Sequence, residues 1–230
     1  DAAGQLTVRY RAPAIAPAAD SIFARGAFIG PLAIRAATVP GGTAALRVTA
    51  DSLAWTAGVA ERVLVQAVDA FGNLVTADNA TVTMRPSSSV VWSPASGALV
   101  AGEFVSFGRD TVAEAVSIGA ARAGGESGTG GTAVVGPAAP AGAIAIAATR
   151  DTLTADGWSA STVTLGPLRD AFGNLVAAGT LIGVAAQTGT LLASDASALY
   201  PGLDLATGAD GRASLLLVAP PAAGPDTVTA

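Results

Sequence analysis

The chain has 230 residues and a net charge of −5, its twelve basic residues are all arginine, and it contains no Lys, Cys or His. Without a basic stripe it is poorly suited to nucleic acid. Without His or Cys it has no Ser-His-Asp or Cys-His nucleophilic system, no imidazole or thiolate zinc site and no disulfide. Apolar residues make up 51% of the chain and aromatics only 5%, so the core is expected to be built from small and β-branched side chains. No apolar run reaches the roughly eighteen residues that a membrane span requires. The first residues, Asp1 to Arg11, lack the layout of a signal peptide, although a secreted precursor stripped of its leader or a segment of a longer protein would look the same.

Taken in chain order, Leu6, Val8 and Tyr10 alternate with Thr7, Arg9 and Arg11, the period-two pattern of a half-buried strand. The apolar segment Ala27-Phe28-Ile29-Gly30-Pro31-Leu32-Ala33-Ile34 follows, and then a Pro40-Gly41-Gly42 break. Leu46, Val48 and Ala50 begin a second alternating run, and Asp69-Ala70-Phe71-Gly72-Asn73 reads as a tight turn. The glycine-rich stretch from Gly124 to Gly131 is expected to loop between two strands. After Pro137-Ala138-Ala139-Pro140 the alternation resumes at Ile144, Ile146 and Ala148. No stretch keeps a 3.6-residue apolar period for ten residues, so helices are not expected.

An internal echo organises these elements. Asp69-Ala70-Phe71-Gly72-Asn73-Leu74-Val75 recurs letter for letter as Asp170-Ala171-Phe172-Gly173-Asn174-Leu175-Val176, an offset of 101 residues (69 to 170). Upstream, Val48-Thr49-Ala50-Asp51-Ser52-Leu53 matches Ala148-Thr149-Arg150-Asp151-Thr152-Leu153 at an offset of 100 (48 to 148). One residue is therefore inserted between the landmarks, and Gly166-Pro167 is its expected place, because a bulge or edge tolerates it. Gly102 matches Gly211 at an offset of 109, which implies a longer loop between Ser194 and Asp210. Gly4 to Arg11 followed by Asp20-Ser21-Ile22-Phe23-Ala24 is a third copy of this closing element, paralleled by Asp226-Thr227-Val228-Thr229-Ala230.

Short strands, frequent turn signals and a period near 100 residues point to an all-β fold of tandem immunoglobulin-like β-sandwich modules. The expected organisation is a partial module at residues 1–38 holding closing strands only, a complete module at 39–138, and a module at 139–230 lacking its last strand. At Ala50-Asp51-Ser52-Leu53, the turn from Asp69 to Asn73, and the closing segments Asp210-Gly211-Arg212-Ala213-Ser214 and Thr227-Val228-Thr229-Ala230, the sequence resembles the bacterial Ig-like (Big) family, in particular the tandem modules of invasin and intimin-type adhesins. That resemblance implies an extracellular or cell-surface protein whose modules serve as stalks, spacers, adhesin tips or filament subunits.

The repeated turn is the one motif that invites a site. Asp69 with Asn73, and Asp170 with Asn174, offer oxygens to calcium, but two side-chain ligands fall well short of the six to eight oxygens calcium takes. The stronger reading is structural: Asp and Asn bond to nearby backbone, Gly supplies a positive φ, and Phe71 and Phe172 plug the end of the core. Trp55 and Trp158 fall near the same point of their modules, which favours packing over sugar stacking, and Trp92 is the third tryptophan. The thirteen Asp and four Glu are scattered at turns, whereas a glycosidase needs two carboxylates facing across a cleft. No catalytic, cofactor-binding or metal residue is therefore assigned, and no cofactor is expected. The expected role is non-enzymatic, a stalk or filament body whose partners are other copies of itself or adjacent modules. One variant has residues 27–34 pairing with the open edge of another subunit. The alternative is an adhesin whose loops, such as Leu199-Tyr200-Pro201, grip a glycan or surface protein.

Overall fold

The computed structural model describes residues 7–26, 29–85 and 89–230. Every regular element among them is a strand. In chain order these are β1 (Ala18–Gly26), β2 (Ile29–Thr38), β3 (Ala45–Ala50), β4 (Ala54–Thr56), β5 (Ala60–Val68), β6 (Thr81–Met84), β7 (Val91–Ser93), β8 (Ser96–Ala98) and β9 (Glu103–Arg109). They continue with β10 (Ala115–Arg122), β11 (Ser127–Gly136), β12 (Ile146–Ala148), β13 (Ala160–Leu165), β14 (Leu181–Ala186), β15 (Thr190–Leu192), β16 (Leu203–Ala206), β17 (Ala213–Val218) and β18 (Val228–Thr229). No helix among the described residues is long and apolar enough to cross a membrane.

The chain forms two compact units. The first comprises Asp1–Leu53, Ala60–Arg109 and Val116–Ala133. It contains the β1-β2 hairpin, a four-stranded sheet in the order β3-β5-β9-β7, and the neighbours β11-β10-β6-β8. Its core is largely aliphatic: Val63, Val65 and Ala67 alternate inward along β5, and Val82, Met84, Val116, Ile118 and Ala120 are buried with them, joined by Trp92 and Phe104. Each such Val or Ile contributes roughly 1.5–3 kcal/mol by leaving water. Arg122 bridges two carboxylates of this unit: its Nε and Nη2 donate to Asp78 Oδ2 and Oδ1 at 2.7 and 3.2 Å, and Nη1 donates to Glu126 Oε2 at 2.7 Å.

The second unit comprises Ala54–Val59, Asp110–Ala115 and Val134–Ala230. One sheet runs β12-β13-β17-β15 and another β16-β14-β18. Between them Val163, Leu165, Ile182, Val184, Leu205 and Leu215 form the buried core. In this unit β4 also pairs in parallel with the end of β11, Trp55 opposite Val135.

The expected insertion lies where the echo puts it. In the first unit β5 runs unbroken to Val68, and Ala67 donates to the Gly102 carbonyl. In the second, β13 stops at Leu165, Gly166 takes φ +93°, and Leu168 repeats the bond by donating to Gly211. The second expected insertion is the loop 193–202 between β15 and β16, where the first unit turns from β7 to β8 through residues 94–95.

Other expectations need correcting. Residues 7–11 form no strand, and Val8 and Tyr10 are exposed; Leu6 lies outside the described residues. The matching strand β9 is held between β5 and β7, partners that residues 7–38 do not supply, and a strand without a ladder is not stable. At the third alternating run only β12 forms, with Ile146 and Ala148 exposed and Ile144 alone packing against the core. The glycine-rich stretch is mostly strand: β11 takes up Ser127 onward, leaving residues 123–126 as the turn. Gly128 and Gly130 serve close approach, because a Cβ on Gly128 would overlap the Leu46 carbonyl oxygen and one on Gly130 would press on Val48. In the apolar segment 27–34, Ala27 and Phe28 lie outside the described residues. The remainder belongs to β2, which pairs antiparallel with β1 of its own chain, Ile22 opposite Ile34.

Candidate functional site

The repeated Asp-Ala-Phe-Gly-Asn turn is the most densely bonded polar feature, and its two copies are built alike. In the first unit, Asp69 Oδ1 accepts from the backbone N–H of Phe71 and of Asn73, both at 2.9 Å. The Asn73 amide donates to both Asp69 oxygens, at 3.2 and 3.0 Å. Gly72, at φ +84°, closes the turn by donating to the Asp69 carbonyl. In the second unit Asp170 Oδ1 accepts from Phe172 and Asn174 N–H at 2.9 Å, and Oδ2 accepts from Asn174 Nδ2 at 2.8 Å. Gly173 occupies φ +89°. The local reason is the one read from the sequence: a short carboxylate caps its own turn and glycine takes the left-handed position.

Each turn also reaches outward to two segments that the sequence did not connect with it. The Asp reaches the break before its own repeat: Gly41 N–H donates to Asp69 Oδ2 at 3.0 Å, and Ala138 N–H donates to Asp170 Oδ2 at 2.9 Å. The Asn reaches further back. Asn73 Nδ2 donates to the Ala14 carbonyl at 2.8 Å, and Ala16 N–H donates to Asn73 Oδ1 at 3.0 Å. Asn174 Nδ2 donates to the Thr111 carbonyl at 2.8 Å, and Ala113 N–H donates to Asn174 Oδ1 at 3.0 Å. Only backbone is read on the receiving side, so no side-chain pattern marks Ala14, Ala16, Thr111 or Ala113. The available signal was their equal placement two to four residues ahead of β1 and β10.

Both carboxylates are buried and surrounded by N–H donors. The Asn73 amide, with the N–H groups of Gly41, Asn73 and Phe71, holds Asp69 at about 2 against burial, which alone would raise it. Burial likewise pushes Asp170 up, but the Asn174 side chain and the N–H groups of Ala138, Asn174 and Phe172 outweigh it and leave it below the ordinary carboxylate range. Converging N–H groups are the surroundings of a held anion, whereas calcium needs oxygens. Among the described residues, no group of three or more His, Cys, Asp or Glu could hold a metal ion.

The aromatic expectations fare differently. Phe71 is 73% exposed and Phe172 42% exposed, so neither plugs a core. The Phe172 ring instead lies on the turn at Gly58, where a Cβ would overlap its Cζ and Cε2. Phe71 borders a depression that also involves Arg11, Pro13, Thr38, Val39 and Asn73. Trp55 is buried on β4, but Trp158 is 87% exposed. The two are not equivalent, since at the offset of 100 that aligns Ala60 with Ala160, Trp158 falls opposite Gly58. It sits instead in a turn whose N–H groups at 158 and 159 donate to Asp156. Trp92 is buried.

No family model and no curated protein matches the chain. Solved structures do. FdeC, a broadly conserved Escherichia coli adhesin, aligns with a TM-score of 0.57 at 17% identity over 85% of this chain and 62% of that one. Invasin, a bacterial integrin-binding protein, aligns with a TM-score of 0.50 at 15% identity over 86% of this chain and 39% of that one. The chain thus spans less than two thirds of either relative. The likeness agrees with the resemblance to bacterial Ig-like modules read from the repeats, and it lies in the fold. The chain is an all-β protein with the immunoglobulin-like β-sandwich fold of bacterial surface adhesins.

Proposed function

We propose that the chain is a non-enzymatic structural repeat of a bacterial cell-surface or extracellular protein, the body of a stalk or filament. It comprises a partial module at 1–38, a complete one at 39–138 and one lacking its last strand at 139–230. The observation that carries this reading is the duplicated turn. Its most unusual carboxylates, the kind of group that marks a reactive site when a cleft surrounds it, are spent on backbone N–H groups of neighbouring segments. A side chain used twice in the same way to fasten polypeptide serves architecture. The partners are adjacent modules or further copies of the repeat, and no cofactor is needed. Electron microscopy of the native assembly tests the proposal: thin rods or filaments at the cell surface support it, and a compact soluble particle refutes it.

A second reading has its own observation. Leu199 is 88% and Tyr200 61% exposed at the tip of the long loop 193–202, and Trp158 is exposed as well. Exposed apolar and aromatic groups on a loop suit an adhesin that binds a glycan or surface protein. Binding on a glycan array that is lost in Tyr200→Ala and Trp158→Ala variants would favour it, and an array without hits would remove its glycan form.

A further inference from the structure

The outward bonds of the turn have a chemistry of their own. Asn174 presents one donor and one acceptor and pairs them with a carbonyl and an N–H two residues apart, Thr111 O and Ala113 N. Asn73 does the same with Ala14 and Ala16. The segments read are Ala14-Ile15-Ala16 and Thr111-Val112-Ala113, each just ahead of a strand, β1 or β10. The central side chains Ile15 and Val112 point to solvent and are not read. At the second copy the receiving surface is itself pre-shaped. Val112 N–H donates to Asp110 Oδ1 at 2.8 Å, Gly58 N–H donates to the Asp110 carbonyl at 2.6 Å, and the Phe172 ring covers Gly58. Residues 54–59 and 110–115 group with 134–230, away from the strands β5 and β9 that follow and precede them in the chain.

We infer that the Asp-Ala-Phe-Gly-Asn turn is a docking site by which one copy of the repeat grips the copy before it: Asn clasps the backbone ahead of that copy's penultimate strand, and at the second copy Phe172 also lies on the glycine turn at Gly58. The clasp common to both copies is to backbone, so any copy of the repeat is a suitable partner whatever its surface residues. This deepens the structural reading above and rests on it. Asn73 and Asn174 act here as positioning residues, and the partner recognised is a second immunoglobulin-like repeat, not a diffusible ligand.

The test is amide hydrogen exchange on the intact chain, read residue by residue. Asn174→Ala is expected to raise exchange at Ala113 at least tenfold while leaving Ala16 and the core amides of Val63 and Val163 unchanged. Asn73→Ala is expected to do the reverse, raising Ala16 and sparing Ala113. Gly58→Ala, whose Cβ would displace the ring, is expected to shift the Phe172 ring resonances and to increase exchange at Ala113. Unchanged exchange at Ala113 in Asn174→Ala and at Ala16 in Asn73→Ala would overturn the inference. So would loss of protection throughout the chain in both, which would assign the asparagines to the cores. The proposed architecture would survive either result, because it is judged by imaging the assembly.

Discussion

Removing the Asp170 carboxylate tests the turn most severely. Four donors converge on it: the N–H groups of Phe172, Asn174 and Ala138 and the Nδ2 of Asn174. In Asp170→Ala these groups are left without their acceptor in a buried site. A hydrogen bond to a charged group contributes about 1.5–3 kcal/mol, and the losses are not additive within one network. We therefore expect a local cost of about 3 kcal/mol, which is on the order of a hundredfold in an opening equilibrium. Asp170→Asn keeps the shape but turns one acceptor into a donor facing other donors, so it should recover little. Because the chain forms two units, a single unfolding midpoint is not a sound readout. Amide exchange at Phe172, Asn174 and Ala138 is the appropriate assay. Less than a threefold change at all three amides in Asp170→Ala would refute the role assigned to the carboxylate.

Acid should act on the first copy in a defined window. Asp69 stands at about 2 in the folded chain against an ordinary 3.8. A depressed carboxylate contributes stability above its unfolded value, and that contribution is lost as pH falls from about 4 to about 2. Chemical shifts of the Phe71 and Asn73 amides should follow this titration and lose it in Asp69→Asn. Gly128→Ala would drive a Cβ into the Leu46 carbonyl, with the carbonyl carbon only 2.8 Å away, and should cost about 3 kcal/mol, read as faster amide exchange at the buried Val63 and Val65 of the first unit. By contrast Gly72→Ala meets no atom within 4 Å and bears only the strain of φ +84°, roughly 1–2 kcal/mol. Arg122→Ala strands the buried Asp78 carboxylate and should destabilise the first unit by about 2 kcal/mol. Arg122→Lys should not restore it, because a single ammonium cannot meet Asp78 through two nitrogens.

Much of this fold was legible because its determinants are local. The alternation at Leu46 and Val48, the turn chemistry of Asp69 and Gly72, and the inserted residue at Gly166-Pro167 each follow from a side-chain type or a φ requirement visible in a few letters. The failures share a different cause. Tyr10 alternates as a strand should, yet its ladder partners are not available to it. Glycines at 128 and 130 look like a loop, but they mark where β11 runs against Leu46 and Val48. Phe71 and Phe172 looked like core plugs because aromatic side chains usually bury; in fact Phe172 covers a glycine contributed from 114 residues earlier (58 to 172). The clasp by Asn73 and Asn174 was invisible since its targets are backbone atoms, which every residue carries.

The architectural account is tested most directly by stretching single molecules from their ends. If residues 39–138 form an independent sandwich, unfolding them releases 100 residues, roughly 340 Å of extended chain at about 3.4 Å per residue. After subtraction of the folded length, the account predicts a distinct unfolding event that lengthens the chain by roughly 300 Å, separate from the event of residues 139–230. Extension without measurable resistance, or one event releasing the whole chain together, would contradict it.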